Sequence, residues 1–287
     1  MAPGAIGRLG GQPRGASGWR PVPRTRSLAT TRARGNRVSP DDQSPALAGW
    51  HLLGEALLDR WRGGSAEPVW VRNDLGGRDP LEPAHFFRGW EAMPPLEREA
   101  LERARGRVLD LGAGAGAHAL VLQERGVEVT AVDALPQAVQ VLRERGLRDV
   151  RALDWRAAPP NAEWDTILLL MNGPGIAGTF PAFRSLLGWL RASLRAGGQV
   201  LLDSTTLPGV LESPDRDPDG HPVADDGRYP GELHLQLEYG GVVGEPFPHL
   251  FVDDETLLRL AAEAGFTTAE VVARSQGGAY LARLAAG

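Results

Sequence analysis

Apolar positions along the chain fall into two periods that change places repeatedly after residue 45. Leu47, Trp50, Leu53, Leu57, Leu58 and Trp61 recur at helical spacing and predict an amphipathic helix over 45–62, closed by Gly63 and Gly64. Gly49 and Gly54 lower its intrinsic helicity, so packing has to hold it. Residues 65–95 lose the period. Trp70, Phe86, Phe87, Trp90 and Met93 are scattered there among prolines and glycines, which predicts an irregular lid with a short helix near 84–91. A helix over 96–104 then leads into a regular series. Short apolar strands at 108–111, 127–132, 150–153, 164–171 and 199–203 alternate with helices running to about 125, over 136–145 and over 180–194. Phe183, Leu186, Leu187, Leu190 and Leu194 form one face of the last of these helices. Such alternation predicts an α/β fold with a parallel sheet, and the apolar run 164–171 suits a central strand buried on both faces.

Past that series the pattern breaks. Residues 205–232 are rich in proline, glycine and acid, and predict a long loop. Two alternating segments, 234–239 and 247–252, predict an antiparallel pair beside or over the sheet. Asp253 is placed to cap a helix with Leu257, Leu258, Leu260 and Ala261 as its apolar stripe, and closing strands follow at 268–274 and 279–284.

Composition narrows the function classes. The 287 residues include no cysteine, which excludes disulfides, thiolate nucleophiles and thiolate metal sites. Every one of the 31 basic residues is arginine, which excludes Schiff-base lysines and a P-loop lysine. The six histidines form no ligand-spaced pair, so no metal is expected. A net charge of −5 argues against nucleic acid as partner. No apolar run is long enough to span a bilayer, and a cytoplasmic location is expected. Residues 1–42 carry eight arginines between Arg8 and Arg37 and no acid before Asp41. They read as a disordered extension or the product of a start codon placed too far upstream, without the apolar segment of a secretory signal. The expected organisation is therefore an extension over 1–42, a helical and irregular cap over 43–104, and a core over 105–287 with an insertion at about 205–252.

The chemistry concentrates in residues 107–133, RVLDLGAGAGAHALVLQERGVEVTAVD. Gly112, Gly114 and Gly116 let the backbone approach a ligand at a strand's carboxyl end, and the helix start offers free N–H groups. Asp133, ending the next strand, is placed to accept hydrogen bonds from both hydroxyls of a ribose. Gly112, Gly114 and Ala117 also satisfy the G-x-G-x-x-A form of the dinucleotide fingerprint. Asp110, however, sits badly beside a pyrophosphate and well beside a positively charged ligand.

The D-L-G-A-G-A-G run resembles the first motif of class I, Rossmann-like S-adenosylmethionine-dependent methyltransferases. The L-R-A-G-G-Q-V-L-L-D segment and the late E-T-L-L-R-L-A-A-E-A-G-F helix resemble the same superfamily. The resemblance implies a seven-stranded, mostly parallel sheet with an antiparallel last strand, helices on both faces, an N-terminal helical lid and an inserted hairpin. It implies S-adenosyl-L-methionine as cofactor and a small-molecule or peptide as methyl acceptor. Asp110, Gly112, Ala113, Gly114 and Gly116 would approach the methionine and ribose, with Asp133 and Ala134 at the sugar. Asp154 would take the adenine amine and Trp155 the ring face, with Asn172 nearest the reaction. Amino-directed nucleic-acid methyltransferases carry an Asn/Asp-Pro-Pro-aromatic tetrad at this last position. Here only Asn172 matches, with Gly173, Pro174 and Gly175 following, so base methylation is not implied. Two other readings stand beside it: an NAD(P)-dependent oxidoreductase, and a non-catalytic binding or scaffold protein on the same fold.

Methyl transfer needs a positioned nucleophile and, for hydroxyl or amine acceptors, a nearby proton acceptor. Candidates are Asn172, His118, His249 and His234, with His221 and Glu238 behind them. His118 lies in the first turn after the glycines, where the helix field disfavours protonation. Alternation puts Phe247, His249 and Phe251 on one face, and His234 on a face with Gln236 and Glu238. The oligomeric state stays open, with the helix over 45–62 as a possible dimer surface.

Overall fold

The two periodicities of the sequence resolve into a seven-stranded sheet, a five-stranded sheet and a two-stranded ribbon. The computed structural model describes residues 45–64 and 67–287; the extension expected over 1–42 lies outside them. The first half comprises α1 (Pro45–Trp61), β1 (Val69–Asn73), β2 (Arg78–Leu81), α2 (Pro95–Arg103), β3 (Val108–Leu111), α3 (Ala117–Glu124), β4 (Val129–Asp133), α4 (Pro136–Glu144) and β5 (Asp149–Ala152). There follow β6 (Trp164–Leu169), α5 (Phe180–Ser193), β7 (Leu194–Thr205), α6 (Pro208–Leu211), β8 (Asp215–Arg216) and β9 (Pro222–Val223). The chain closes with β10 (Glu232–Tyr239), β11 (Val242–Val243), β12 (Phe247–Leu250), α7 (Asp254–Glu263), β13 (Thr268–Arg274) and β14 (Ala279–Ala285).

The larger sheet has seven strands in the order β13-β14-β7-β6-β3-β4-β5. β3 to β7 run parallel, and β14 lies antiparallel to both its neighbours. Alternate residues of each central strand feed opposite cores. Leu109, Leu111, Ile167, Leu169, Val200 and Leu202 pack with Phe183, Leu186 and Leu190 of α5. Val108, Ala131, Leu168 and Leu201 pack with Leu101 of α2 and Val121 and Leu122 of α3. Coverage on both faces is why these strands read as apolar runs rather than as alternation. The chain builds outward from β3 to β5, then returns to lay β6 on the other side of β3. That reversal opens a crevice at the carboxyl ends of β3 and β6, the place where open α/β sheets bind ligands.

The second sheet is antiparallel and was only half foreseen. β10 carries β1 on one side and β11 and β12 on the other, and β2 pairs with β1. The expected pair 234–239 and 247–252 is present as β10 and β12, but the expected irregular lid contains β1 and β2 as well. β1 is short, and its partner β10 is far away in sequence (Val71 faces Leu237), so local pattern could not reveal it. Pro80 inside β2 suits an edge strand. The lid's short helix occurs as two 3-10 turns, Pro83–Phe87 and Trp90–Ala92. α1 lies across this sheet, and Gly49 permits the contact: a Cβ there would fall 2.0 Å from Phe247 Cδ1.

The stretch 205–232, expected as a loop, holds α6 and the β8-β9 ribbon. Leu207, Val210 and Tyr229 are buried and pin it to the body, and the Tyr229 hydroxyl donates to Asp253. Asp253 caps α7 as expected, accepting from the Thr256 N–H at 2.9 Å.

Candidate active site

At the crevice, β3 ends in the glycine turn. Gly112, Gly114 and Gly116 have φ of 80°, 56° and 85°, a left-handed backbone that L side chains avoid. A Cβ on Gly116 would also press Leu142 and Leu147 at 2.9 Å. Gly112 is exposed toward the crevice, and the nearest atom to a Cβ there is Ile176 Cγ2 at 3.8 Å. The turn is held to β4 by Gly112 and Ala113 N–H groups donating to Val132 O, each at 2.9 Å.

Asp133 closes the arrangement from the next strand. Its Oδ2 accepts from Gly114 N–H at 2.8 Å and its Oδ1 from Leu135 N–H at 2.9 Å. Burial raises its pKa to about 6 against those hydrogen bonds, and each oxygen keeps a lone pair for a further donor. Ala134 follows it, half-buried. Asp154, after β5, accepts from the backbone and guanidinium of Arg156. Trp155 is buried, and its indole N–H has no hydrogen-bond partner. Arg156 donates to Ile176 O and Ala177 O, tying the turn after β5 to the turn after β6.

Asn172 opens the turn after β6 in a left-handed conformation, as does Met171 before it. Two consecutive non-glycine residues with positive φ mark strain that surroundings must hold in place. Asp203, at the end of β7, accepts from Asn172 N–H at 2.8 Å, and Thr205 Oγ1 donates to Asn172 Oδ1 at 3.0 Å. Burial, reinforced by the Glu97 charge, raises the Asp203 pKa to about 6. Asp203 and Thr205 were not among the expected site residues; the available signal was an acid at the carboxyl end of a core strand. Phe86 was missed as a specific contact too: its ring edge lies 3.0 Å from where a Gly114 Cβ would stand, so the lid rests on the glycine turn.

His118 does not face the crevice as a free base. Its Nε2 pairs with Glu97 of α2 at 2.8 Å, and Glu97 also pairs with Arg88. Burial disfavours its proton, but Glu97 and the nearby Asp110 outweigh burial, and the net pKa is raised. The expectation from the helix field alone is therefore reversed by two carboxylates. Asp110 is itself buried, its pKa raised by desolvation, and its Oδ2 has no hydrogen-bond partner.

His249 of β12 lies on the other side of the Asn172 turn. A Cβ on Gly175 would sit 1.9 Å from its Cε1, so the ring lies directly on that glycine. Trp50 and Phe251 flank it edge-on at 5.6 and 4.9 Å. His234 is on the outer face of β10, 41% exposed, receiving a hydrogen bond from Arg228. Glu238 pairs with Arg72 and Arg78 on that face. His221 is buried against Phe180 with Nδ1 on Asp217. Asp217, Asp219 and His221 bring ligand-type atoms within 4.8 Å of one another, which histidine spacing did not foretell. The structure thus brings the glycine turn, Asp133 and the Asn172 turn to one crevice, with Asp110 buried beside His118 and His249 against Gly175, and leaves His234, His221 and Glu238 elsewhere.

A glycine turn under a strand-helix junction, an acid on the neighbouring strand and a crevice at the sheet's reversal define a nucleoside-binding α/β protein. Comparison with known proteins makes the class specific. A family model described as a methyltransferase domain matches residues 87–271, and the chain belongs to that family. It is 36% identical to a SAM-dependent methyltransferase from Bacteroides fragilis solved with S-adenosyl-L-homocysteine. That match covers 84% of this chain and 97% of the other, with a TM-score of 0.71. The CcbJ methyltransferase of Streptomyces caelestis shares the fold at 20% identity over 68% of this chain and 91% of its own, TM-score 0.50. Curated relatives match over shorter segments. Ribosomal RNA large subunit methyltransferase M of Alkalilimnicola ehrlichii is 39% identical over 77 residues, 26% of this chain and 21% of its own. An uncharacterized methyltransferase of Mycobacterium bovis is 47% identical over 59 residues, 20% of this chain and 24% of its own. This chain therefore spans about a fifth to a quarter of the length of those two relatives.

Proposed function

We propose that this protein transfers a methyl group from S-adenosyl-L-methionine to a small-molecule or peptide acceptor. The observation that carries the reading is the pairing of the exposed Gly112 turn with Asp133 at the crevice where the sheet reverses. Membership in a methyltransferase family favours it over the oxidoreductase and scaffold readings. Two buried groups near these turns keep a polar atom free for a ligand. Asp110 has an unpaired carboxylate oxygen, and Trp155 an unpaired N–H beside Asp154.

The bound cofactor supplies an electrophilic methyl group on sulfur. The protein's own task is then positional. Gly112, Ala113, Gly114 and Gly116 cradle the ligand, while Asp133 and Ala134 hold the ribose. Asp154 and Trp155 receive the adenine, and Asn172 borders the reacting centre. Asp203 and Thr205 fix the turn that carries Asn172.

Calorimetry with S-adenosyl-L-homocysteine tests this. The wild type should bind at micromolar affinity, and Asp133→Ala should lose most of it. No heat of binding to the wild type overturns the reading.

A further inference from the structure

His249 is the least explained polar group among the described residues. It is 3% exposed, and neither ring nitrogen has a hydrogen-bond partner. A buried polar group left so is costly and marks a place where a partner arrives or where the residue serves something other than stability. Its surroundings are apolar. Phe247 and Phe251 are fully buried, Gly175 lies under the ring, and Trp50 covers the remaining side. Of those walls only Trp50 is half-buried, so access to the ring runs past it.

The position links this ring to the crevice. The turn Gly173–Ala177 has Ile176 against Gly112 on one side and Gly175 against His249 on the other. One short turn therefore touches both the imidazole and the glycine loop. No charged group faces the ring: burial alone lowers its pKa, to about 4, so it is neutral in the folded protein.

We propose that His249 receives the methyl acceptor, and that the acceptor is an uncharged, largely apolar molecule whose nucleophile is a hydroxyl or aromatic amine. This rests on the methyltransferase reading above. A neutral imidazole offers one nitrogen as hydrogen-bond acceptor, and an O–H or N–H nucleophile fills it. As the acceptor's oxygen or nitrogen bonds to the methyl carbon, the carbon–sulfur pair stays on sulfur and the acceptor's proton passes to His249. Positive charge moves from sulfonium to imidazolium, so the apolar site gains no net charge during the step. A cationic or anionic acceptor would meet no counter-charge beside the ring.

The test uses the full-length protein with His249→Phe and His249→Gln. An aromatic ring without nitrogens removes the unpaired groups at similar volume, so a residue that merely packs would tolerate it. The expected result is an unchanged or raised melting temperature and unchanged S-adenosyl-L-homocysteine affinity. Transfer from labelled S-adenosyl-L-methionine to a panel of neutral phenols and arylamines should fall at least about a hundredfold. His249→Gln, which keeps a hydrogen-bond acceptor, should retain more transfer than His249→Phe, and it carries the comparison if His249→Phe lowers the melting temperature. Full activity in both variants, or wild-type labelling confined to benzoates and alkylammonium compounds, overturns the proposal. So does the absence of any labelled panel member while S-adenosyl-L-homocysteine binds. Failure of the wild type to bind S-adenosyl-L-homocysteine instead removes the methyltransferase reading on which the proposal stands.

Discussion

Asp133 and Asp203 titrate near the same pH for one reason, burial at strand ends, yet they answer to different partners. Asp133 would accept from both ribose hydroxyls with both oxygens only while ionised, since protonation turns one of them into a donor. Its pKa near 6 leaves it about nine-tenths protonated at pH 5. S-adenosyl-L-homocysteine affinity should thus fall about tenfold between pH 7 and pH 5, and calorimetry of Asp133→Asn should show that slope flattened. Asp203 holds the strained turn at Met171 and Asn172, so Asp203→Ala frees a half-buried N–H and should destabilise the fold by about 1 kcal/mol in urea titration. Gly116→Val combines positive φ with the contacts to Leu142 and Leu147 and should cost at least as much. Asp110, Asp133 and the glycines could be picked out from spacing because the motif is local. The reach of Asp203 to Asn172 could not, since it crosses from one strand end to the next.

Among the elements, the lid does most to shape access. Phe86 rests on Gly114, and Arg145 of the α4 cap donates both to Ala115 O in the glycine turn and to Phe87 O in the lid. These contacts span two segments that chain order keeps apart, and Phe86 and Phe87 also pack against the main core. Arg145→Ala should therefore speed S-adenosyl-L-homocysteine dissociation several-fold in stopped-flow measurements while moving the melting temperature little. The helices and parallel strands were legible because each is coded by its own period: α5 shows its apolar face, and β6 its unbroken run. β1 and β2 were not. A four- or five-residue strand carries too few positions for alternation to stand out, and its reason for being a strand lies in β10.

At the scale of the molecule, the cover and the core are one folding unit. β10 and β12 are inserted after β7 but complete a sheet with β1 and β2, while α1 packs on both that sheet and α4. Tryptophan fluorescence and far-ultraviolet circular dichroism should then lose signal at the same urea concentration, with one transition. A chain lacking residues 1–81 should fail to reach a monomeric folded state in size-exclusion chromatography, because Phe247, Leu235 and Leu237 would lose their cover. The overall α/β architecture was legible in the sequence since its strands are added outward in chain order on each side of β3, with one exception. That Trp50 meets Phe247 and His249 follows from packing of distant segments, and no local spacing encodes it.

The exception is β14, which sits between β7 and β13 although it is made after both. As the polypeptide emerges during synthesis, β13 has nothing to pair with and the flank of β7 stays bare until residues 279–285 arrive. A chain cut at Gly278 would hold out two unpaired strand edges, β13 and the flank of β7, and should associate with other copies of itself through them.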